Sequence, residues 1–386
     1  MASIRRRDGA KGTTWAVLFR QGGKQRSSTF DNEVAALRHL ERIERFGVDA
    51  AERLLDAEMR SDPDRSPSVA ELVDRHIDAL SGVQSDTIRT YRQMQKKLAA
   101  TPLGHLPIDV VGREDIAKWI RDQQDGEDGL SAKTVRNRHA LVSAALRQAV
   151  DDGILDRNPA ERAKIRRTER REMTFLTPTE FQVVLARANP HYRPLLMTLY
   201  GTGLRLGEAT ALRISDLDLT AKPPTLTVAR AWKNDGVLGA PKTRAGRRTL
   251  SIPSPVVVEL TRIIEGRAPD ELVFVNLAGG RVLQASLHDL WQQWIRDYDT
   301  DHATGEPKPR KPKLGKVPRI HDLRHSHASV MIAAGVNLFD LKHRLGHESI
   351  QTTANTYGHL MPEAQVQAER AASLAFAVDA PKQIEG

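Results

Sequence analysis

Residues 161–173, ERAKIRRTERREM, hold almost no large apolar side chain. Such a stretch has nothing to bury, so it reads as an exposed connector between parts that must each build a core. With 386 residues, the chain is also too long for one compact core. Two or three domains are expected.

Upstream of the connector the pattern changes once more. Residues 1–60 form a small basic unit, with TTWAVLFRQ as a strand, QGGK as a turn and QRSSTF as the next strand. Asp31 or Asn32 then caps a helix running to about residue 46, with Val34, Leu37, Leu40 and Ile43 on one face. The unit is expected to be a three-stranded sheet plus a helix. Arg5, Arg6, Arg7, Lys11, Arg20, Lys24 and Arg26 crowd it, either as a solvated strand surface or as a sheet that meets DNA.

DPDRSPS at 62–68 reads as a linker, and 66–165 as a helical bundle. Ser68 with Glu71 makes a capping box before VAELVDRHIDAL. Two further helices lead to SAKTVRNRHALVSAALRQAVDDG. There Val135, Leu141, Val142, Ala145, Leu146 and Ala149 recur at helical spacing, and Lys133, Arg136 and Arg138 crowd the start.

Beyond the connector, residues 172–386 form the third part. Thr177, Pro178 and Glu180 mark a helix start. The rest is mostly helical, with a small antiparallel sheet at about 225–253 and a Pro- and Lys-rich loop at 299–319. The fold class expected is multidomain and mainly α with small β-sheets.

A net charge of +9 favours a polyanionic partner, nucleic acid before a membrane surface. No apolar run approaches a bilayer span, and MASIRRRDGAKG lacks a signal-peptide core. The absence of cysteine excludes disulfides, thiolate-zinc sites and cysteine nucleophiles. A cytoplasmic protein with no membrane partner is the simplest account.

HDLRHSHAS at 321–329 follows the Lys-rich loop. His321 and His325 share a helical face, as zinc ligands would; so do His321 and Arg324, as an anion grip would. Three more segments carry chemistry: TGLRLGEATALR at 202–213, APKTRAGRR at 240–248 and LGHESIQTTANTYGHL at 345–360. In this order, over about 172–362, the four resemble the catalytic domain of the tyrosine recombinases, the phage-integrase family. The upstream layout resembles the larger integrases: a small arm-type DNA-binding sheet, then a helical, SAM-like core-binding domain, then an α+β catalytic domain.

The resemblance implies an active site of Arg205, Lys242, His321, Arg324, His347 and Tyr357, with Glu208 in support. The chemistry agrees. A tyrosine ester keeps the energy of the broken phosphodiester, so rejoining needs no ATP and no cofactor. Two arginine forks can clamp the oxygens that gain charge. Arg205 could equally form a surface ion pair with Glu208, and one carboxylate allows both. His321 suits a base or a phosphate donor, and His347 a donor. Lys242 suits the acid for the leaving oxygen, with Lys233, Arg244, Arg247 and Arg248 as nearby rivals. RAGR at 244–247 departs from the family's usual small polar residue after the lysine-threonine pair. No HExxH accompanies the histidines, so His325 and His327 are expected to pack or cap locally.

The resemblance further implies a recombinase that integrates and excises a mobile element through a 3′-phosphotyrosyl link. Its partners would be core and arm-type duplex DNA, three more copies around a Holliday junction, and accessory DNA-bending and excision-directing proteins, all in a bacterial host cytoplasm at the nucleoid. Arg5, Arg6, Arg7, Lys24, Arg26, Lys133, Arg136 and Arg138 would hold DNA. MPEAQVQAERAASLAFAVD, the tail after Tyr357, would pack on the next protomer or form a last helix. A type IB topoisomerase shares the chemistry, and a non-catalytic regulator could share the fold.

Overall fold

The computed structural model describes residues 2–9, 12–60, 66–126, 129–167, 173–233, 236–241, 244–300, 307–361 and 373. The chain divides into two compact units, 1–170 and 171–386. The expectations for Lys11, Lys242 and nearly all of the tail from 362 on lie outside the described residues.

The first unit opens with three antiparallel strands, β1 (Ser3–Gly9), β2 (Gly12–Gln21) and β3 (Lys24–Phe30), in that order. Trp15, Val17 and Phe19 alternate onto the face that packs on α1 (Glu33–Phe46), joined by Ile4 and Phe30. Asn32 caps α1 by accepting from the Ala35 N–H at 2.8 Å. The buried stripe is Ala36, His39 and Ile43. Of the expected face, Ile43 and Leu40 pack inward as read, but Val34 is 66% and Leu37 49% exposed. Their 3.6-residue stripe continues into Glu41 and Glu44, so the helix turns the flanking stripe inward.

A second helix, α2 (Val48–Arg60), follows directly. Its Ala51 joins the sheet's core, while Leu54 and Ala57 join the core of the helices that follow. These are α3 (Val69–Ala79), α4 (Ser85–Ala99), α5 (Pro102–His105), α6 (Arg113–Asp125) and α7 (Ala132–Asp151). The Ser68–Glu71 capping box forms, and all six apolar positions named on α7 are buried. The first half of the connector is not free. Ala163 and Ile165 pack on the helical core, and Arg166 pairs with Asp125 at 2.8 Å.

The second unit runs α8 (Pro178–Arg187), α9 (Arg193–Thr202), α10 (Leu206–Ala209), β4 (Leu217–Asp218), β5 (Thr225–Val228), β6 (Ala231–Trp232), β7 (Leu238–Gly239), β8 (Arg248–Ser251), α11 (Ser254–Ile264), α12 (Gln284–Ile295), β9 (Tyr298–Thr300), β10 (Pro307–Pro309), α13 (Asp322–Ala333), α14 (Leu338–Leu345) and α15 (Ile350–Tyr357). Strands β4, β5 and β8 form one antiparallel sheet in that order, and β6 pairs with β7. Leu199, Leu226, Leu250, Leu260, Trp291 and Leu323 knit α9, the sheet, α11, α12 and α13 into one core. Burying each leucine is worth about 1.5–3 kcal/mol. A satellite cluster of Ala328, Ile332, Leu341, Leu345 and Tyr357 seats α14 and α15 on α13. The stretch expected as a loop at 299–319 instead begins within a two-stranded antiparallel sheet, β9–β10. Arg310, just after β10, donates to Asp299 on β9 at 2.9 Å, a pairing that no single segment displays.

Candidate active site

The site grows from two tight helix ends. Helix α9 stops at Gly203, whose φ is +70°; a side chain there would meet the His327 ring at 2.6 Å. That turn makes Arg205 the N-cap of α10. Its backbone N–H donates to Glu208 Oε2 at 2.9 Å and its Nη1 to Oε1 at 2.8 Å. Arg248 enters from β8 and donates to the same carboxylate, Nη2 to Oε2 at 3.0 Å and Nη1 to Oε1 at 3.3 Å. Glu208 is 3% exposed. Burial alone would raise its pKa; Arg248 first and Arg205 next outweigh this and hold it below the usual carboxylate range. Arg205 stays 43% exposed, so one end of its fork is fixed and the other is open.

Arg324 stands on the first turn of α13. Its Nη1 donates to Gly203 O at 2.7 Å and its Nη2 to Leu345 O at 2.5 Å. Burial, with Arg205 nearby, lowers its pKa to about 9, which leaves it cationic at neutral pH. Two carbonyls use only two of its five N–H donors. His321 is the residue before α13. Burial, then His325, Arg324 and Arg205, push its pKa down to about 4. His347 follows Gly346, which ends α14 at φ +65° with no room for a side chain between Arg248 and Ala245 O. Its Nδ1 lies 2.9 Å from Thr353 Oγ1. Burial and the charges of Arg324, Arg205 and Arg248 bring it to about 4 as well.

Tyr357 ends α15 and is 1% exposed. Burial lifts its hydroxyl to about 12, against the pull of Arg324 and Arg205. Its Oη lies 2.8 Å from His325 Nδ1. Arg205, His321, Arg324, His347 and Tyr357 thus share one electrostatic neighbourhood, although they come from four separate segments. The arrangement offers two cationic forks, neutral imidazoles and a protonated phenol, and suits a phosphodiester better than a metal.

The model of the phage integrase family matches residues 174–364. The chain belongs to that family, the tyrosine recombinases. Among curated proteins it is similar to the ICEBs1 integrase of Bacillus subtilis (strain 168), 34% identical over 252 residues, covering 62% of this chain and 65% of that one. It is also similar to the integrase of Mycobacterium phage L5, 28% identical over 221 residues, covering 55% of each. The chain therefore spans less than two thirds of the length of these relatives. Among solved structures, the Tn1549 transposon integrase in complex with a circular intermediate DNA aligns with a TM-score of 0.66 at 22% identity, covering 80% of this chain and 99% of that one. A lambda integrase tetramer bound to a Holliday junction aligns at 0.57 and 17% identity, covering 90% and 93%. At these identities the likeness establishes the fold.

Elsewhere in the chain the basic residues divide by geometry. Register puts Arg5, opposite Ala16, and Arg7, opposite Thr14, on the sheet face turned away from α1, together with Arg20. Arg6, Lys24 and Arg26 fall on the α1 side, and Arg6 pairs with Asp8 at 3.0 Å. Lys133 and Arg136 are exposed; Arg138 is half-buried and donates to Gln123 at 2.9 Å.

Three interactions escaped sequence reasoning. His325 does more than pack or cap, since it meets Tyr357 Oη; its spacing from His321 was legible, its partner on α15 was not. Arg248, seen only as a rival cation, also donates to Gly246 O at 2.9 Å and Arg344 O at 2.8 Å. His327 bridges Tyr200 O at 2.9 Å and Arg344 Nε at 2.8 Å. Only the neutral ring with hydrogen on Nδ1 satisfies both partners, and burial with Arg344 lowers its pKa to about 3.

Proposed function

We propose that this family member is a site-specific DNA recombinase, an integrase of a phage or other mobile element. The observation that carries the reading is one buried tyrosine that feels the charges of both Arg205 and Arg324. Tyr357 Oη attacks a backbone phosphorus, forming a 3′-phosphotyrosyl bond as the P–O5′ bond breaks. The open end of Arg205 and the remaining donors of Arg324 take the non-bridging oxygens as they gain charge. His321 and His347 add hydrogen bonds, and Lys242 supplies the proton to the departing 5′-oxygen. A 5′-hydroxyl of the partner strand then reverses the step, with no cofactor.

Residues 1–60 would bind arm-type sites, 66–165 the core site, and 172–386 would carry the chemistry. Exposed Lys133 and Arg136 suit phosphate contacts, as do Arg5 and Arg7. Four protomers on two duplexes, helped by DNA-bending and excision-directing proteins in a bacterial cytoplasm, complete the reading. Among the described residues no helix is long and apolar enough to cross a membrane.

Covalent trapping tests it. Labelled attachment-site DNA with a nick that releases the cleaved fragment should yield a denaturation-resistant adduct, insensitive to chelator and absent from Tyr357→Phe. An adduct surviving in Tyr357→Phe would reveal another nucleophile. Tight, salt-sensitive binding without adduct at two candidate sites would favour a regulator.

A further inference from the structure

Tyr357 must lose a proton to attack, and burial makes that loss hard. Among the described residues, the group bonded to its oxygen is His325, through Nδ1 at 2.8 Å. His321 is placed differently. Its ring meets His325 edge-on, with centroids 5.0 Å apart, and it feels the charges of both Arg324 and Arg205. Of the two histidines four residues apart, the one hydrogen-bonded to the nucleophile is therefore His325.

We propose, building on the recombinase reading, that His325 is a catalytic residue: its Nδ1, not a nitrogen of His321, takes the Tyr357 proton during cleavage. In the forward step the Tyr357 O–H bond breaks and the proton moves to Nδ1. The freed lone pair on Oη forms the bond to phosphorus, and the P–O5′ electrons leave on the 5′-oxygen, which Lys242 protonates. In rejoining, a 5′-hydroxyl attacks, the P–Oη bond breaks, and the tyrosine oxygen recovers its proton from Nδ1.

The surroundings suit a base that is neutral at rest. Burial lowers the pKa of His325. Asp322 and Arg324 on its own helix, Arg319 and His321 before it, Tyr357 on α15 and His347 ahead of α15 are the titratable and charged groups that face it. Arg319 and Arg324 resist a charge on the ring, while Asp322 favours one. Asp322 is 1% exposed and already fixed by Arg319 Nη2 at 2.9 Å, so this support for the imidazolium needs no rearrangement.

His325→Asn separates proton transfer from mere positioning, because an amide can hold the hydroxyl near the Nδ1 position but cannot accept its proton. The quantity to measure is the single-turnover rate of adduct formation on nicked DNA from about pH 6 to 10, for the parent, His325→Asn and His321→Asn. His325→Asn should be slower by about 10²- to 10⁴-fold near neutral pH. Its rate should climb about tenfold per pH unit, as hydroxide ionises the tyrosine directly, while the parent stays much flatter. His321→Asn should keep the parent's pH profile whatever its rate. A fluorinated, more acidic tyrosine at 357 should rescue His325→Asn and barely affect the parent. His325→Gln, with thermal melting of every variant, covers the case in which the asparagine variant does not fold. A His325→Asn rate within about threefold of the parent with an unchanged profile would make His325 only a positioning residue, and a faster rate would make the interaction a restraint. Either overturns the proposal, as does a steep pH dependence that appears in His321→Asn instead. A parent that forms no adduct would sink the recombinase reading itself, a separate outcome.

Discussion

Arginine is used in opposite ways at the two ends of this protein. In the second unit Arg324 is buried, the Arg248 side chain is 7% exposed, and both are anchored to named oxygens: Glu208 and the carbonyls of Gly203, Gly246, Arg344 and Leu345. In the first unit Arg5 and Arg7 stand exposed on the open face of a sheet. A guanidinium already fixed needs no reorganisation when charge develops on a phosphate, so it acts through geometry. A solvated one mainly exchanges counterions, so it acts through charge and is screened by salt. The contrast predicts where a conservative change is harsh and where it is mild.

The largest effect should fall on Arg324→Lys. An ammonium cannot span Gly203 O, Leu345 O and a phosphate at once, and adduct formation should drop about 10³-fold. Arg248→Met comes next. It touches no DNA in the proposed mechanism, yet it holds Glu208, and through it Arg205. Cleavage should fall about 10²-fold, and stability by about 3 kcal/mol, since Glu208 loses a buried partner. Single-turnover cleavage and denaturant melts check both. If Arg248→Met cleaves like the parent, anchoring in the second unit is not what sets the rate.

What was legible in the sequence follows the same division between local and non-local. Capping boxes at Ser68 and Thr177 formed as expected, because a cap is decided within four residues. The stripe on α7 was legible because one side of it buries whole. On α1 two apolar stripes lie side by side, and tertiary packing chose Ala36, His39 and Ile43 over the bulkier Val34 and Leu37. Helix α2 was missed because alanines carry much of its buried face. At the site, His321 and Arg324 were legible from their spacing, and Glu208 from its distance to Arg205. The His325–Tyr357 pair spans 32 residues and the Arg248–Glu208 pair 40, so no local pattern could announce either.

Buried histidines give the comparison a pH dimension. His321, His327 and His347 fall from 6.5 to about 4, 3 and 4 in the folded protein. Below pH 6.5 the unfolded chain gains protons that the folded one refuses, so unfolding is favoured as pH falls. The stability these rings contribute is whole above 6.5 and is lost on the way down to about 3–4. His327, the most enclosed, alone accounts for about 1.4 kcal/mol per pH unit in that window. Melting should weaken steeply from pH 6.5 to 4.5, and His327→Gln should flatten the slope while lowering the melting temperature at neutral pH. An equally steep slope in that variant would move the effect to other groups.

The smallest effect tests the other side of the contrast. Side chains alternate along β1, so Arg5 and Arg7 share the face turned from α1 while Arg6 points to the opposite side and pairs with Asp8. If that open face lies against DNA, removing one arginine–phosphate pair should reduce the slope of log affinity against log salt by about 0.9. Arg5→Gln and Arg7→Gln should each flatten the slope for arm-type DNA by that amount and weaken binding at low salt. Arg6→Gln removes the same charge one residue away and should leave the slope nearly unchanged. Net charge is matched across the three variants, so the difference isolates the face of the sheet. Equal slopes for all three would mean that the first unit attracts DNA by charge alone.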